Sequence, residues 1–173
     1  METKMSGITR RVLLFALIFL PTMILPQASF GNDEKASRLV KQYYSKFQKP
    51  NFLVDDLMKF YTDDIKFVDP TFEIVANGKD AVRNLYIDLG TEKTSYQNIV
   101  WDIRDIIIQT DSVVIQGKWS GVFHDCDFDV EFMTLWKLRK GLIAEQTDFF
   151  AASTFDRQVG WDPSTGKTTC AVQ

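Results

Sequence analysis

From Ser95 to Phe150 the chain reads as four long β-rich segments with almost nothing between them, and no other stretch limits the fold as much. The segments are 95–109, 112–123, 126–138 and 142–150, joined at Thr110-Asp111, His124-Asp125 and Arg139-Lys140-Gly141. Connections of two or three residues suit hairpins, so the segments form an antiparallel meander. The third alternates most cleanly. Phe128, Val130, Phe132, Thr134, Trp136 and Leu138 occupy one face; Asp127, Asp129, Glu131, Met133, Leu135 and Lys137 occupy the other. With a side-chain period of two, the first set faces a core and the second becomes apolar only toward its end.

Ahead of the meander the periodicity is helical. In 33–48, Ala36, Leu39, Val40, Tyr43, Tyr44 and Phe47 recur at the spacing of one amphipathic face, with Asn32 or Asp33 placed to cap the start. "KPN" (49–51) breaks that helix, and Val54, Leu57, Met58 and Tyr61 mark a short second one. A strand at 63–69 pairs with "FEIVA" (72–76) as a short hairpin. Asn77-Gly78 then turns the chain into a third helix, with Ala81, Val82, Leu85, Tyr86 and Leu89 on one side. Helices followed by a meander read as α+β, with three helices packed on one side of a curved antiparallel sheet. A curved sheet closed over by helices makes a cone, and the mouth of a cone is a pocket. The tail from about 156 has turn signals (Asp162-Pro163, Thr165-Gly166) and no period.

Residues 1–31 stand apart. Lys4, Arg10 and Arg11 precede the apolar run 12–25, and Ser29 and Gly31 supply small residues before a cut. This is the layout of a secretory signal peptide, with a run shorter than the roughly 20 residues of a membrane span. The expectation is a secreted or periplasmic protein with no stable membrane insertion after cleavage, or one anchored by an uncleaved N-terminal segment. Its single domain occupies 32–173. The net charge of −3, without a basic cluster interleaved with aromatics, argues against a nucleic-acid partner. Fourteen Phe, five Tyr and four Trp point to an aromatic-rich interior or pocket. Cys126 and Cys170 either form a disulfide that pins the tail to the third strand of the meander, as an even count in an exported chain allows, or remain free thiols. With one histidine, His124 (read as a surface residue at a turn), and no Cys-x-x-Cys, no metal site is expected.

One acid sits among apolar neighbours. In "DDIKFVDPTFE" (63–73), Ile65, Phe67 and Asp69 share a strand face that Pro70 closes. An unpaired buried charge is expensive. Two readings of Asp69 stand: a pocket acid whose desolvated carboxyl has its pKa raised toward neutrality, where it can move a proton, or the cap of the turn at Pro70.

Three fragments in order, "LMKFYTDDIKFVDP" (57–70), "NGKDAVRNLY" (77–86) and "TLWKLRKGLIAEQTDFFAASTF" (134–155), resemble the nuclear transport factor 2-like fold. Within it they resemble the SnoaL-like proteins, which include polyketide cyclases, ketosteroid isomerases and limonene-1,2-epoxide hydrolases. The resemblance covers roughly 36–159 and implies a cone-shaped, cystatin-like architecture that often dimerises through the sheet. It places Asp69 where the isomerases have their proton-moving aspartate and Tyr43 where they have an oxyanion donor. Their second donor, an aspartate, falls at Thr134, which cannot act as a protonated acid, so steroid isomerisation is disfavoured. The final acid of the epoxide hydrolases is matched by Asp148, but their Arg-x-Asp pair becomes Lys118 and Ser120, and their water-holding Asn becomes Asp69. Epoxide hydrolysis is not supported either.

The candidate site is therefore Asp69, Asp148 and Tyr43 as catalytic groups, with Phe67, Trp101, Lys118, Trp119, Thr134, Trp136, Gln146 and Phe150 as ligand contacts. Two acids in one apolar pocket push their pKa values apart. The implied activity is proton transfer without metal or cofactor (isomerisation, cyclisation or a hydration-type lyase reaction) on a small, mostly apolar carbonyl compound. Asp69 would be base or acid, with Tyr43, Thr134 or Asp148 stabilising charge. The alternatives are a noncatalytic module binding a small hydrophobic molecule, and a purely structural homodimer.

Overall fold

The computed structural model describes residues 30–48, 52–89, 94–162 and 164–170. Most of the expected leader (1–29) and the break at 49–51 lie outside these residues. Helix α1 (Phe30–Tyr44) buries Ala36, Val40, Tyr43 and Tyr44, the face that the periodicity marks. It begins before Asn32 and Asp33, so neither caps it, and it stops short of Phe47. There the Lys46 and Phe47 amides close tight turns onto the Tyr43 and Tyr44 carbonyls. Helix α2 (Val54–Met58) is a single turn. Tyr61, expected on its face, instead opens strand β1 (Tyr61–Asp69), where it is fully buried with Ile65 and Phe67. Strand β2 (Ile74–Asn77) returns against β1, and Gly78, at φ 86°, turns the chain into α3 (Lys79–Tyr86).

The meander follows as β3 (Tyr96–Gln109), β4 (Ser112–Phe123), β5 (Cys126–Arg139) and β6 (Leu142–Phe150), within a residue or so of the segments expected. One six-stranded sheet results, in the order β2-β1-β6-β5-β4-β3. It departs from the antiparallel expectation at one place: β1 lies parallel to β6. The chain between them is long enough for the crossover that parallel pairing needs. A further helix, α4 (Ala152–Val159), occupies what reads as a non-periodic tail. It buries only Phe155 and Val159, one turn apart, which is too little for a recognisable period. Beyond it Cys170 is joined to Cys126 by a disulfide closing a 44-residue separation. Of the two cysteine readings the bonded one holds; such a link stabilises by about 2–4 kcal/mol.

The sheet curls because its strands carry register shifts. β3 has two, at Gln97/Val100 and Ile103/Asp105, and others lie between β1 and β6 and between β5 and β6. Each extra residue bends its strand and increases the local twist. Glycines face the β3 irregularities. A Cβ on Gly117 would lie 2.0 Å from the Asp102 carbonyl oxygen, and one on Gly121 would lie 2.8 Å from that of Gln97. Backbone approaches backbone at these points, so the obstruction cannot rotate away. The concave face packs against α1, α3 and α4, with Val113, Ile115, Trp136 and Ile143 among its fully buried side chains. Gly117→Ala is expected to destabilise the fold by about 1–3 kcal/mol, seen as a lower midpoint in urea unfolding; an unchanged midpoint would show that the bend does not need glycine.

Candidate functional site

The parallel register of β1 and β6 aligns Phe67 with Gln146 and Val68 with Thr147. Continued by one residue, it sets Asp69 beside Asp148 on the concave side. Both acids are buried, at 4% and 6% exposure, and both line one cavity of about 170 Å³. Two larger clefts, of about 380 and 610 Å³, lie elsewhere and contain neither acid.

The walls of the cavity are mostly aromatic. β3 and β4 supply Tyr96, Trp101 and Trp119; β6 supplies Phe150; Phe72 follows β1. Trp101 and Trp119 stack at 5.8 Å, and Trp119 contacts Phe150 at 4.9 Å. Opposite them are Phe47, Phe67 and Tyr86, with Tyr86 edge-on to Phe67 at 85°. Ile74, Leu85, Leu89 and Ile99 complete the lining. The indole N–H of Trp101 is buried and finds no protein hydrogen-bond partner among the described residues.

Asp69 fits both of its readings. It lines the cavity, and its Oδ1 accepts hydrogen bonds from the Thr71 and Phe72 amides at 2.9 and 3.2 Å. Burial raises its pKa, while those amides oppose the shift because they favour the ionised form. Asp148 is pushed further, to about 7. Burial is the largest cause; the charge of Asp69 adds to it, and hydrogen bonds from Gln146 and Thr134 oppose it.

Behind Asp148 lies a chain of neutral hydroxyls and an amide. Thr134 Oγ1 donates to Asp148 Oδ1 and Gln146 Nε2 donates to Oδ2, each at 2.8 Å. Tyr61 donates to Gln146 Oε1 at 2.9 Å. Its only proton being used, Tyr61 must accept from Tyr43 across their 2.6 Å contact. Tyr44 donates to Thr134 at 3.4 Å. Desolvation raises the pKa of Tyr43, Tyr44, Tyr61 and Tyr86, keeping these groups neutral.

Of the residues nominated from sequence, Asp69, Asp148, Phe67, Trp101, Trp119 and Phe150 line the cavity. Thr134 and Gln146 support Asp148 from behind. Tyr43 is outside the lining, with its hydroxyl on Tyr61, and Trp136 is fully buried against Tyr43 and Tyr44. Lys118 does not reach the cavity. Alternation along β4 gives the concave side to Val113, Ile115, Gly117 and Trp119, so Lys118 faces out and pairs with Asp129 at 2.7 Å. His124 is exposed and stacks on Trp161 at 4.9 Å. Sequence reasoning missed Tyr61, although extending the period of two back from Asp69 through Phe67 and Ile65 points to it. It also missed the Tyr96 and Phe72 walls, which no local pattern marks. Among the described residues no three His, Cys, Asp or Glu side chains gather to hold a metal ion, and no helix is long and apolar enough to cross a membrane.

A family profile described as the SnoaL-like domain matches residues 40–146. The chain belongs to the SnoaL-like family. No curated protein matches it. Among solved structures, this SnoaL-like chain is similar to one described as a SnoaL-like polyketide cyclase from Shewanella denitrificans (17% identity, TM-score 0.58, covering 69% of this chain and 93% of that one). Another is a protein with a ketosteroid isomerase-like fold from Catenulispora acidiphila, in complex with trimethylamine (18% identity, TM-score 0.59, covering 67% and 87%). A third is a nuclear transport factor 2-like protein from Burkholderia pseudomallei (15% identity, TM-score 0.61, covering 71% and 95%). At these identities the likeness is one of fold.

The Asp148 shift has a consequence for stability. With a folded pKa of about 7 against an ordinary carboxylate value of 3.8, the native SnoaL-like domain binds more protons than the unfolded chain across that interval. Stability contributed by this group is present below the lower value and is lost as pH rises through the higher one. Asp148→Asn, which cannot ionise, is expected to gain stability relative to wild type between pH 5 and pH 8. Thermal melts at both pH values check this, and a constant difference would place Asp148 outside the desolvated site.

Proposed function

We propose that this SnoaL-like protein transfers a proton within a small, mostly apolar carbonyl compound held in the aromatic cavity. The reaction is an isomerisation, cyclisation or hydration-type lyase step, without a metal or cofactor. The observation that carries this reading is Asp148, a desolvated carboxyl with a pKa of about 7 in the wall of an apolar cavity. A base is most useful with its pKa near the working pH, so the proton carrier is Asp148 rather than Asp69. The amides of Thr71 and Phe72 favour the ionised form of Asp69, which supplies a fixed negative charge beside it. Tyr43 acts through Tyr61 and Gln146 as a positioning residue.

A second reading, ligand binding without chemistry, is favoured by the hydrogen bonds that already occupy both Asp148 oxygens. Carboxyl-resolved NMR titration separates the two. The catalytic reading expects Asp148 to titrate near 7 and Asp69 clearly below it. An ordinary carboxylate midpoint for Asp148 would leave only binding.

The disulfide supports export to an oxidising compartment, in line with the leader expected at 1–31. We also propose a homodimer through the sheet. Cross-strand register aligns Ile107, Val114, Leu135, Thr147, Val68 and Val75 in one row across the outer face, with Ile107 and Val75 exposed. Leu135→Lys at the middle of this row is expected to shift the protein from dimer to monomer in light scattering. A wild type that is already monomeric would exclude the dimer.

A further inference from the structure

The charge balance of the cavity narrows its ligand, given the reading of the cavity as a substrate site. Its lining holds two carboxyls and, among the described residues, no lysine, arginine or histidine. Burial raises both acids, and the charge of Asp69 raises Asp148 further. The outward-turned Lys118 is spent on Asp129. A buried negative charge with no counter-charge is costly. The remaining walls are mostly aromatic, and the face of an aromatic ring carries the negative part of its quadrupole.

These rings pack on one another at several angles. Phe47 meets Tyr86 at 69°, Phe67 meets Tyr86 at 85° and Trp119 meets Phe150 at 57°, while Trp101 and Trp119 stand nearly parallel. Aromatic walls beside a carboxylate suit a cation that sheds its water cheaply. A bare ammonium would lose strong hydration in such a place. An alkylated one presents methyl groups to the rings and spreads its charge over them. An anion would be repelled by both acids, and a neutral ligand would leave Asp69 with the Thr71 and Phe72 amides but no counter-charge.

We infer that the carbonyl compound taken by the cavity carries a positive charge, as a small alkylated ammonium group seated among the rings and beside Asp69. A volume of about 170 Å³ admits only a small molecule of this kind. Asp69 then holds the charged end, which leaves Asp148 to exchange the proton.

Choline and its uncharged analogue, in which carbon replaces the nitrogen, test this on the full chain by calorimetry and carboxyl NMR. Choline is expected to bind at least about tenfold more tightly than the analogue, within the range of a desolvated cation–π contact, and to move the Asp69 carboxyl signal. Asp69→Asn retains an oxygen for the Thr71 and Phe72 amides, so it preserves the turn. It is expected to abolish the preference for choline, whose affinity falls to that of the analogue. If the analogue binds as well as choline, the ligand is neutral and the charge inference falls while the substrate cavity stands. If neither probe enters, both readings fall.

Discussion

The parallel contact between β1 and β6 is the constraint on which the rest depends. On one side of it lies β2; on the other lies the meander. Its register decides whether Asp69 and Asp148 meet. Slipping β1 by one residue would turn Ile65, Phe67 and Asp69 toward solvent and bring Lys66 and Val68 inward. Contacts at both ends oppose the slip. The Ile143 amide donates to the Phe60 carbonyl at 2.8 Å where β1 begins, and the Phe150 amide donates to Thr71 Oγ1 at 3.0 Å just past its end. Asp69 in turn shapes the loop that carries Thr71, through the two amides it accepts. The residue that caps the turn thus also helps hold the register that makes it a cavity acid, so the two readings of Asp69 describe one arrangement.

The strands were legible because alternation and two- or three-residue turns are local signals. The period of two places Phe128, Val130, Phe132, Thr134 and Trp136 on the buried face, as observed. Where the sheet bends, the signal weakens. A register shift separates Tyr61 from Lys66, so the strand's inward face is interrupted at Asp63, and Tyr61 can be mistaken for the end of a helix. Lys118 was nominated through the resemblance, whereas the alternation of Val113, Ile115 and Trp119 along β4 turns it outward. α4 was invisible because a helix that buries two residues has no period. The Asp69–Asp148 pairing came from the resemblance and not from composition, since residues 79 positions apart meet only through tertiary register.

An apolar cone that stores two acids bears a cost in stability, and the disposition of donors shows how it is contained. Thr134 and Gln146 satisfy Asp148 with neutral hydrogen bonds instead of an ion pair. A neighbouring arginine would have held the carboxyl well ionised and removed its ability to exchange a proton near neutrality. Neutral donors oppose burial only in part, which leaves the carboxyl near its midpoint at neutral pH. The tyrosines behind them extend the same logic, because desolvation keeps each one a donor that carries no charge.

The sense of these hydrogen bonds also says where a proton on Asp148 resides. Tyr43 points to Tyr61, Tyr61 to Gln146 and Gln146 to Oδ2, while Tyr44 points to Thr134 and Thr134 to Oδ1. Every proton in the two chains is directed toward the carboxyl, and reversing either would mean turning the Gln146 amide or leaving a buried hydroxyl unpaired. A carboxylate has about four lone-pair sites, and the chains use one on each oxygen. A proton taken up by Asp148 without disturbing its support must therefore occupy a site turned away from Thr134 and Gln146. Asp148 lines the cavity, so that side is the one a ligand can reach. The network that holds the acid from behind thus also gives its proton a direction.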